Sequence, residues 1–354
     1  MTTARRNILV IGPSWVGDMV MAQCLFQTLL AQEPNVQISV LAPAWSLPLL
    51  SRIPEVTTAI PAPFKHGQLS FGHRLHLARH LRAHQFDQAI VLPLSFKAAL
   101  VPFLAGIPTR TGFLGEQRYG LLNDIRPFDP KRLPQTVQRF VQLGLPPNSE
   151  SKVERHHPQL VVHSQNMPKL FRRLGINPSG RPALALCPGA AFGPAKRWPA
   201  AHFSKVAQEQ LKQGWQVWLI GSHEDAVITG EIYGQGRPYL YDLAGHTSLE
   251  DTIDLLSTAA CVVSNDSGLM HVAAAVGPAV IALYGSTSPD INPPLSPRAT
   301  ILWEHFKCSP CHQRVCPLDH TNCLNHLSVN QVLNALRQAL PEGPTGIKLP
   351  GTSL

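Results

Sequence analysis

The sequence predicts an α/β protein made of two doubly wound domains in tandem. Short β-rich runs alternate with helical stretches along the chain, which means parallel strands joined by crossover helices. The alternation lapses once, in a polar, proline-containing segment at residues 146–182, where the domain boundary is expected. The chain has 354 residues, enough for two domains at roughly 100–200 residues each. Two such domains bind ligands at the carboxyl ends of their strands, in a cleft.

The elements follow in order. Residues 8–11 (ILVI) read as a strand ended by Gly12-Pro13, with a helix over 18–32 after it. Residues 37–41 form the next strand, and a helix around 73–84 leads to a strand at 88–92 (QAIVL). The pattern restarts after the break with a strand at 183–187, a helix at 199–213 and a strand at 215–220. A helix at 249–259, a strand at 261–264, a helix at 267–276 and a strand at 279–284 complete it. The apolar region 268–285 contains His271 and is broken by Gly277-Pro278, so it reads as helix, turn and strand, not as a membrane span.

Hydrophobic residues are 44% and charged residues 15% of the chain, which excludes disorder and allows a sizeable core. The net charge is +8, so an anionic partner is expected: nucleic acid, a phosphorylated lipid or an acidic substrate. The run after Arg5-Arg6 is too short for a signal peptide, so a cytoplasmic location is expected. Seven cysteines in a chain this long do not read as a secreted disulfide scaffold.

Five constellations are candidates for chemistry. In GPSWVGD (12–18) the two glycines have P-loop spacing, but Asp18-Met19 stands where a P-loop needs Lys and Ser/Thr, which rejects an NTPase. Asp18 is either a helix cap or a general base at the mouth of the cleft. In PGAAFGPAKRWP (188–199), small Gly189, Ala190 and Ala191 let backbone N–H groups approach a phosphate; Lys196 either neutralises a leaving diphosphate or is a solvated surface lysine. In NDSGLMH (265–271), Ser267 and Gly268 open a helix whose N-terminus favours an anion, and Ser267 and His271 share a face. The alternative there is an ordinary Asp266 or Ser267 cap with a core histidine. Cys308, Cys311, Cys316 and Cys323 fall within sixteen residues. They read as a structural zinc or iron knuckle, as two disulfides, or as free thiols. His73, His76, His80 and His84, with Arg74, Arg79 and Arg82 interleaved, read as a solvated basic face that contributes to binding an anionic membrane surface. A metal site is the alternative reading of the four histidines.

Taken together, GPSWVGDMVMAQ, PGAAFGPAKRWP and NDSGLMHVAAA with ALYGSTSPD resemble the ADP-heptose:lipopolysaccharide heptosyltransferases, in particular their second-step branch, over residues 8 to about 340. LAPAWSLPLLSRIPEV, LPLSFKAALVPFLAGIPTRTG and RYGLLNDIR support it. The resemblance implies a GT-B fold of two Rossmann-like domains. The acceptor-binding domain spans 1–165 and the ADP-heptose-binding domain 180–328; a helix at 329–340 crosses back to the first domain, and a loose tail covers 341–354. The implied reaction moves L-glycero-D-manno-heptose from ADP-heptose to the first heptose of heptosyl-Kdo2-lipid A. It forms an α1,3 linkage with inversion and needs no metal for catalysis. By the same resemblance Asp18 is the base, and Lys196 stabilises the ADP leaving group. Gly189, Ala190 and Ala191 line the donor. Asp266, Ser267, Gly268 and His271 hold the diphosphate region. Glu224 lies at the ribose and Thr247 near the adenine. Lys97 and Arg110 are the acceptor-side candidates, because the acceptor carries carboxylates and phosphates. The enzyme is expected to be peripheral to the inner face of the cytoplasmic membrane, with no nucleic-acid partner. Ala191 departs from the family, where Glu is frequent; first-step enzymes use hydroxyls around 191 and 192, so the departure favours the second step. A first-step heptosyltransferase, a nucleotide-sugar epimerase of similar fold and a nucleic-acid-binding module are the competing readings.

Overall fold

Residues 1–159 and 160–354 form two units; the computed structural model describes residues 5–64, 69–147, 149 and 157–340. In the first unit the order is β1 (Asn7–Ile11), α1 (Val16–Gln32), β2 (Gln37–Pro43), α2 (Leu47–Leu50), β3 (Thr58–Ala62), α3 (Phe71–Leu81), β4 (Gln88–Val91), α4 (Phe96–Leu104), β5 (Thr109–Phe113), β6 (Asp124–Arg126) and α5 (Thr136–Gly144). Its six strands lie in the order β3-β2-β1-β4-β5-β6, every neighbouring pair parallel. The winding reverses between β1 and β4, so this is where the sheet offers a crevice.

Fully buried apolar strands build that sheet: Ile8, Leu9 and Val10 of β1, with Ala89, Ile90 and Val91 of β4, have no accessible surface. One face is covered by α3 and α4 through Ala78, Leu81, Ala99 and Val101. Gly144 lets α5 come close to α1, since a Cβ there would sit 2.5 Å from Leu25 Cδ1. Helix α1 is held further by the buried Gln23, whose amide donates to Glu55 Oε2 at 2.9 Å and to the Gln159 carbonyl at 2.8 Å. Its oxygen accepts the Gln159 N–H at 2.9 Å. A buried amide with all these partners fixes the helix against sliding.

The second unit contains α6 (Met167–Leu174), β7 (Ala183–Cys187), α7 (Ala200–Lys212), β8 (Gln216–Leu219), α8 (Ala226–Tyr233), β9 (Leu240–Asp242), α9 (Leu249–Ser257), β10 (Cys261–Asn265), α10 (Gly268–Val276), β11 (Ala279–Tyr284), β12 (Ala299–Trp303), α11 (Asn322–Asn325) and α12 (Val329–Ala339). The strand order β12-β11-β10-β7-β8-β9 repeats the first sheet's winding and reverses between β7 and β10. Helix α6 falls inside the stretch expected to lie between domains; Phe171 packs edge-on against Trp218 of the second sheet, and the division comes earlier, at 159/160. The stripe Val332, Leu333, Ala335 and Leu336 of α12 is buried in the second unit's own core with Leu324 and Leu327. That packing accounts for its apolar face within this unit. The tail from 341 lies outside the described residues.

Charge is divided unevenly. Residues 1–159 hold 16 Lys and Arg against 9 Asp and Glu, a net of +7, whereas residues 160–354 hold 14 against 13, a net of +1. No helix among the described residues is long and apolar enough to cross a membrane.

Candidate active site

In each unit the residues following the two central strands carry the candidate chemistry. In the first unit Asp18 lies in the opening turn of α1, directly after β1. The helix begins two residues earlier than the sequence pattern implied, with Trp15 at the cap position. Asp18 is therefore not the cap but an acid inside the first turn, where the helix dipole favours its charge. Gly12 allows the tight exit from β1: a Cβ there would stand 2.8 Å from Met19 Cε. Its N–H donates to the Leu41 carbonyl at 2.9 Å.

Lys97 sits in the first turn of α4, after β4, on the same carboxyl rim as Asp18. The loop before it is held by Arg118, a fully buried arginine that no motif announced. Its guanidinium donates to the carbonyls of Pro93 at 2.6 Å, Ser95 at 3.2 Å and Phe113 at 2.6 Å. Burial pushes the Arg118 pKa down to about 10, so it keeps its charge at neutral pH. Glu116 caps α4 by accepting the Phe96 N–H at 2.7 Å. Arg110 is not brought together with Asp18 and Lys97. It stands near the amino end of β5, opposite Ala89, and its guanidinium donates to the Leu121 and Ile107 carbonyls at 2.7 and 2.6 Å.

In the second unit the loop after β7 and the turn after β10 meet. Asn265, at the end of β10, donates through Nδ2 to the Pro188 carbonyl at 2.7 Å and accepts the Trp198 N–H at 3.0 Å. One buried side chain thus clasps both ends of the 188–199 loop. Asp266 follows, and Lys196 Nζ donates to its Oδ2 at 2.6 Å. Thr287, after β11, donates to the same oxygen at 2.5 Å. The two charged side chains are 13% and 6% exposed, so this is a nearly buried ion pair and not a solvated lysine. Lys196 has three N–H donors and can hold Asp266 while offering others to an anion. Ala190 is buried, Ala191 exposed. Gly189 must lack a side chain, since a Cβ would lie 2.3 Å from the Asp225 carboxylate.

Ser267 precedes α10, and its hydroxyl does not cap the helix; it pairs with Ser264 Oγ at 3.2 Å. His271, one turn into α10, is buried. Its pKa is lowered to about 4 mainly by burial, with Asp266 pulling it up and Lys196 pushing it down. It is a neutral imidazole at pH 7. Because the folded value lies below the ordinary 6.5, the unfolded chain binds the proton first. Stability from this group is fully present above pH 6.5 and falls as pH drops toward 4, by about 3 kcal/mol. Urea titrations from pH 7.5 to 4 should therefore show a shallower decline for His271→Gln than for the natural protein; parallel declines would refute this.

Glu224 is exposed in the turn after β8. Thr247 precedes α9 and accepts from Thr252 Oγ1 at 3.1 Å. Their two loops are joined by the Gly245 N–H to the Gly221 carbonyl at 3.1 Å, which puts both residues on the carboxyl side of β8 and β9.

Of the three readings of the cysteine knuckle, the metal one finds no support among the described residues. All four cysteines are free thiols, and among the described residues no group of three or more His, Cys, Asp or Glu side chains is placed to hold a metal ion. Cys323 packs in the hydrophobic core with α11 and α12, where burial first, and then the neighbouring Cys308, Cys311 and Cys316, raise its pKa. Cys316 stays in the loop, its pKa lowered by the Thr321 N–H first, then by those of Leu318 and His320. The zinc or iron expectation is not carried further, nor is a metal on the α3 histidines. Cys24, Cys187 and Cys261 are buried core thiols, raised in pKa by desolvation.

With this geometry in place, comparison with known proteins decides the family. The model of glycosyltransferase family 9 (heptosyltransferase) matches residues 74–322. The chain belongs to glycosyltransferase family 9. Lipopolysaccharide heptosyltransferase 2 of Escherichia coli K12 is 46% identical over 305 residues, 84% of this chain and 87% of that protein. Lipooligosaccharide heptosyltransferase 2 of Haemophilus influenzae is 46% identical over 306 residues, covering 84% and 88%. The structure of E. coli ADP-heptose LPS heptosyltransferase II superposes with a TM-score of 0.86 at 40% identity, covering 95% of this chain and 99% of that one. This family-9 chain is thus a glycosyltransferase with a GT-B fold built from two Rossmann-like units.

Sequence reasoning missed Asn265, Thr287 and Arg118 as structural partners of the site. Thr287 had a usable signal, since it directly follows an apolar strand. Arg118 had none, because its burial depends on carbonyls from two separate segments, the 93–95 loop and the end of β5.

Proposed function

We propose that this glycosyltransferase moves L-glycero-D-manno-heptose from ADP-heptose to the first heptose of the lipopolysaccharide inner core, heptosyl-Kdo2-lipid A, in α1,3 linkage with inversion. The observation that carries this reading is the 46% identity to the E. coli heptosyltransferase 2 over 84% of the chain. The first unit takes the acceptor and the second the donor. Asp18 removes the proton from the acceptor hydroxyl, and the oxygen attacks the anomeric carbon opposite the departing ADP. As that bond breaks, charge grows on the diphosphate, where Lys196 and the α10 N-terminus at Ser267 and Gly268 stabilise it. Asp266 and Thr287 position Lys196. His271 stays neutral and packs beneath the site. Glu224 and Thr247 sit toward the nucleoside, and Lys97 toward the acceptor's anionic groups. A single carboxylate suffices, unlike glycoside hydrolysis with its pair.

A cytoplasmic enzyme resting on the inner face of the membrane fits this substrate. Support comes from the first unit's net +7 and from the exposed Trp15, Trp45, Leu94, Phe96, Leu114 and Tyr119, all in the segments that follow the carboxyl ends of β1, β2, β4 and β5. Aromatic side chains flanked by cations suit an anionic lipid surface.

The test is ADP release from ADP-heptose with core acceptors bearing zero or one heptose, displayed in phosphatidylglycerol vesicles. Release only with the one-heptose acceptor is expected, with the protein co-floating with these vesicles and not with phosphatidylcholine alone. Release with the zero-heptose acceptor would move the enzyme to the first step, and failure to float would remove the membrane reading.

A further inference from the structure

The loop carrying Cys308 to Cys316 has no role in the reaction described above, yet it lies against the 188–199 loop. The Arg314 carbonyl accepts the Ala195 N–H at 3.1 Å. Gly193 makes the approach possible, because a Cβ there would stand 2.3 Å from that same carbonyl oxygen. Two further bonds anchor the segment to the end of β11: His312 N–H to the Ser286 carbonyl at 2.7 Å, and Ser309 Oγ to the Gly285 carbonyl at 2.6 Å. Thr287, which holds Asp266, is the next residue along. The backbone of this loop is therefore built into the Lys196 cluster.

The Arg314 side chain adds charge to that cluster. Its guanidinium carbon is 5.3 Å from the centre of the Phe192 ring, and Lys196 Nζ is 5.0 Å from the same centre. Both are within the range at which a ring face attracts a cation, so the two cations lie no farther apart than the sum of these distances. They differ in their commitments. Lys196 is matched by Asp266, whereas no carboxylate among the described residues forms an ion pair with Arg314, which is exposed. The Lys196–Asp266 pair alone is close to neutral, and a nucleoside diphosphate brings at least two negative charges. Beside Arg314's anchor, Ser286 Oγ is buried without a hydrogen-bond partner, a further polar group left for a ligand.

We propose that Arg314 is a donor-binding residue that contacts the diphosphate of the nucleotide sugar, supplying from the cysteine-bearing loop the net positive charge that Lys196, tied to Asp266, does not. This rests on ADP-heptose as donor. It also offers a substitute contact for a loop in which Ala191 has no polar side chain.

Calorimetric ADP binding and donor kinetics of Arg314→Gln and Arg314→Lys test it. Arg314→Gln should weaken ADP about tenfold to a hundredfold and lower kcat/KM for the donor by a similar factor. Adenosine, measured by competition, should bind the variant as it binds the natural protein. Arg314→Lys should recover most of the loss. The substitution leaves the Ala195 bond to the backbone in place, so the thermal midpoint should hold. Unchanged ADP affinity in Arg314→Gln would overturn the proposal, as would equal losses for ADP and adenosine, since those mean a displaced loop. A natural protein that binds no ADP would instead overturn the donor assignment, and this proposal with it.

Discussion

Asp18→Asn is expected to lower kcat for heptose transfer by about 10²–10⁴-fold, with ADP affinity unchanged. The amide keeps the size and the half-buried position of the carboxylate in the first turn of α1 but cannot accept the acceptor's proton. Loss of the favourable charge at a helix N-terminus costs about 0.3–1 kcal/mol, and the amide keeps the side chain's shape and hydrogen-bonding oxygen. The groups expected to hold ADP belong to the other unit, so nucleotide binding should not register the change. Calorimetry with ADP, the thermal midpoint and single-turnover transfer together separate the outcomes. Turnover near that of the natural protein would end the assignment of Asp18 as base. A parallel fall in ADP affinity and stability would assign it a structural role.

The central strands of both sheets were legible because they are buried on both faces and read as unbroken apolar runs, as in ILVI and ALALC. The edges were not. Strand β3 (TAIPA) is half-exposed and contains Pro61. Strand β6 is three residues long, and β12 has no fully buried residue. Edge strands lose one packing face, and with it the pattern that betrays them. Helix α6 escaped because only Met167 and Leu170 are buried. The site was legible to the extent that it lies on loops leaving central strands, which places Asp18, Lys196 and Asp266. What joins Lys196 to Asp266 is contact across 70 residues, and nothing local in either loop announces it. The four cysteines were legible as a cluster but not as a site: Cys323 is raised in pKa by burial first and then by the nearby Cys308, Cys311 and Cys316, while it packs in a core with Leu324 and Leu327 and no metal-holding group is found among the described residues.

Lys196→Ala should have a comparably large effect, by two mechanisms that one experiment can separate. The first is chemical: removing a donor aimed at developing charge costs about 10²–10³-fold in kcat. The second is structural. Asp266 would stay in place at 6% exposure with Thr287 as its remaining side-chain donor. A buried carboxylate stripped of its cation costs about 3–5 kcal/mol. The double variant Lys196→Ala/Asp266→Asn removes the stranded charge without restoring the cation. The thermal midpoint should therefore fall in Lys196→Ala and recover in the double variant, while transfer stays lost in both. If activity returned along with stability, Lys196 would be only a counter-ion for Asp266. If neither variant lost transfer, the leaving group would have to be stabilised from elsewhere on the carboxyl rim of the second sheet, and the ion pair would be an element of fold alone.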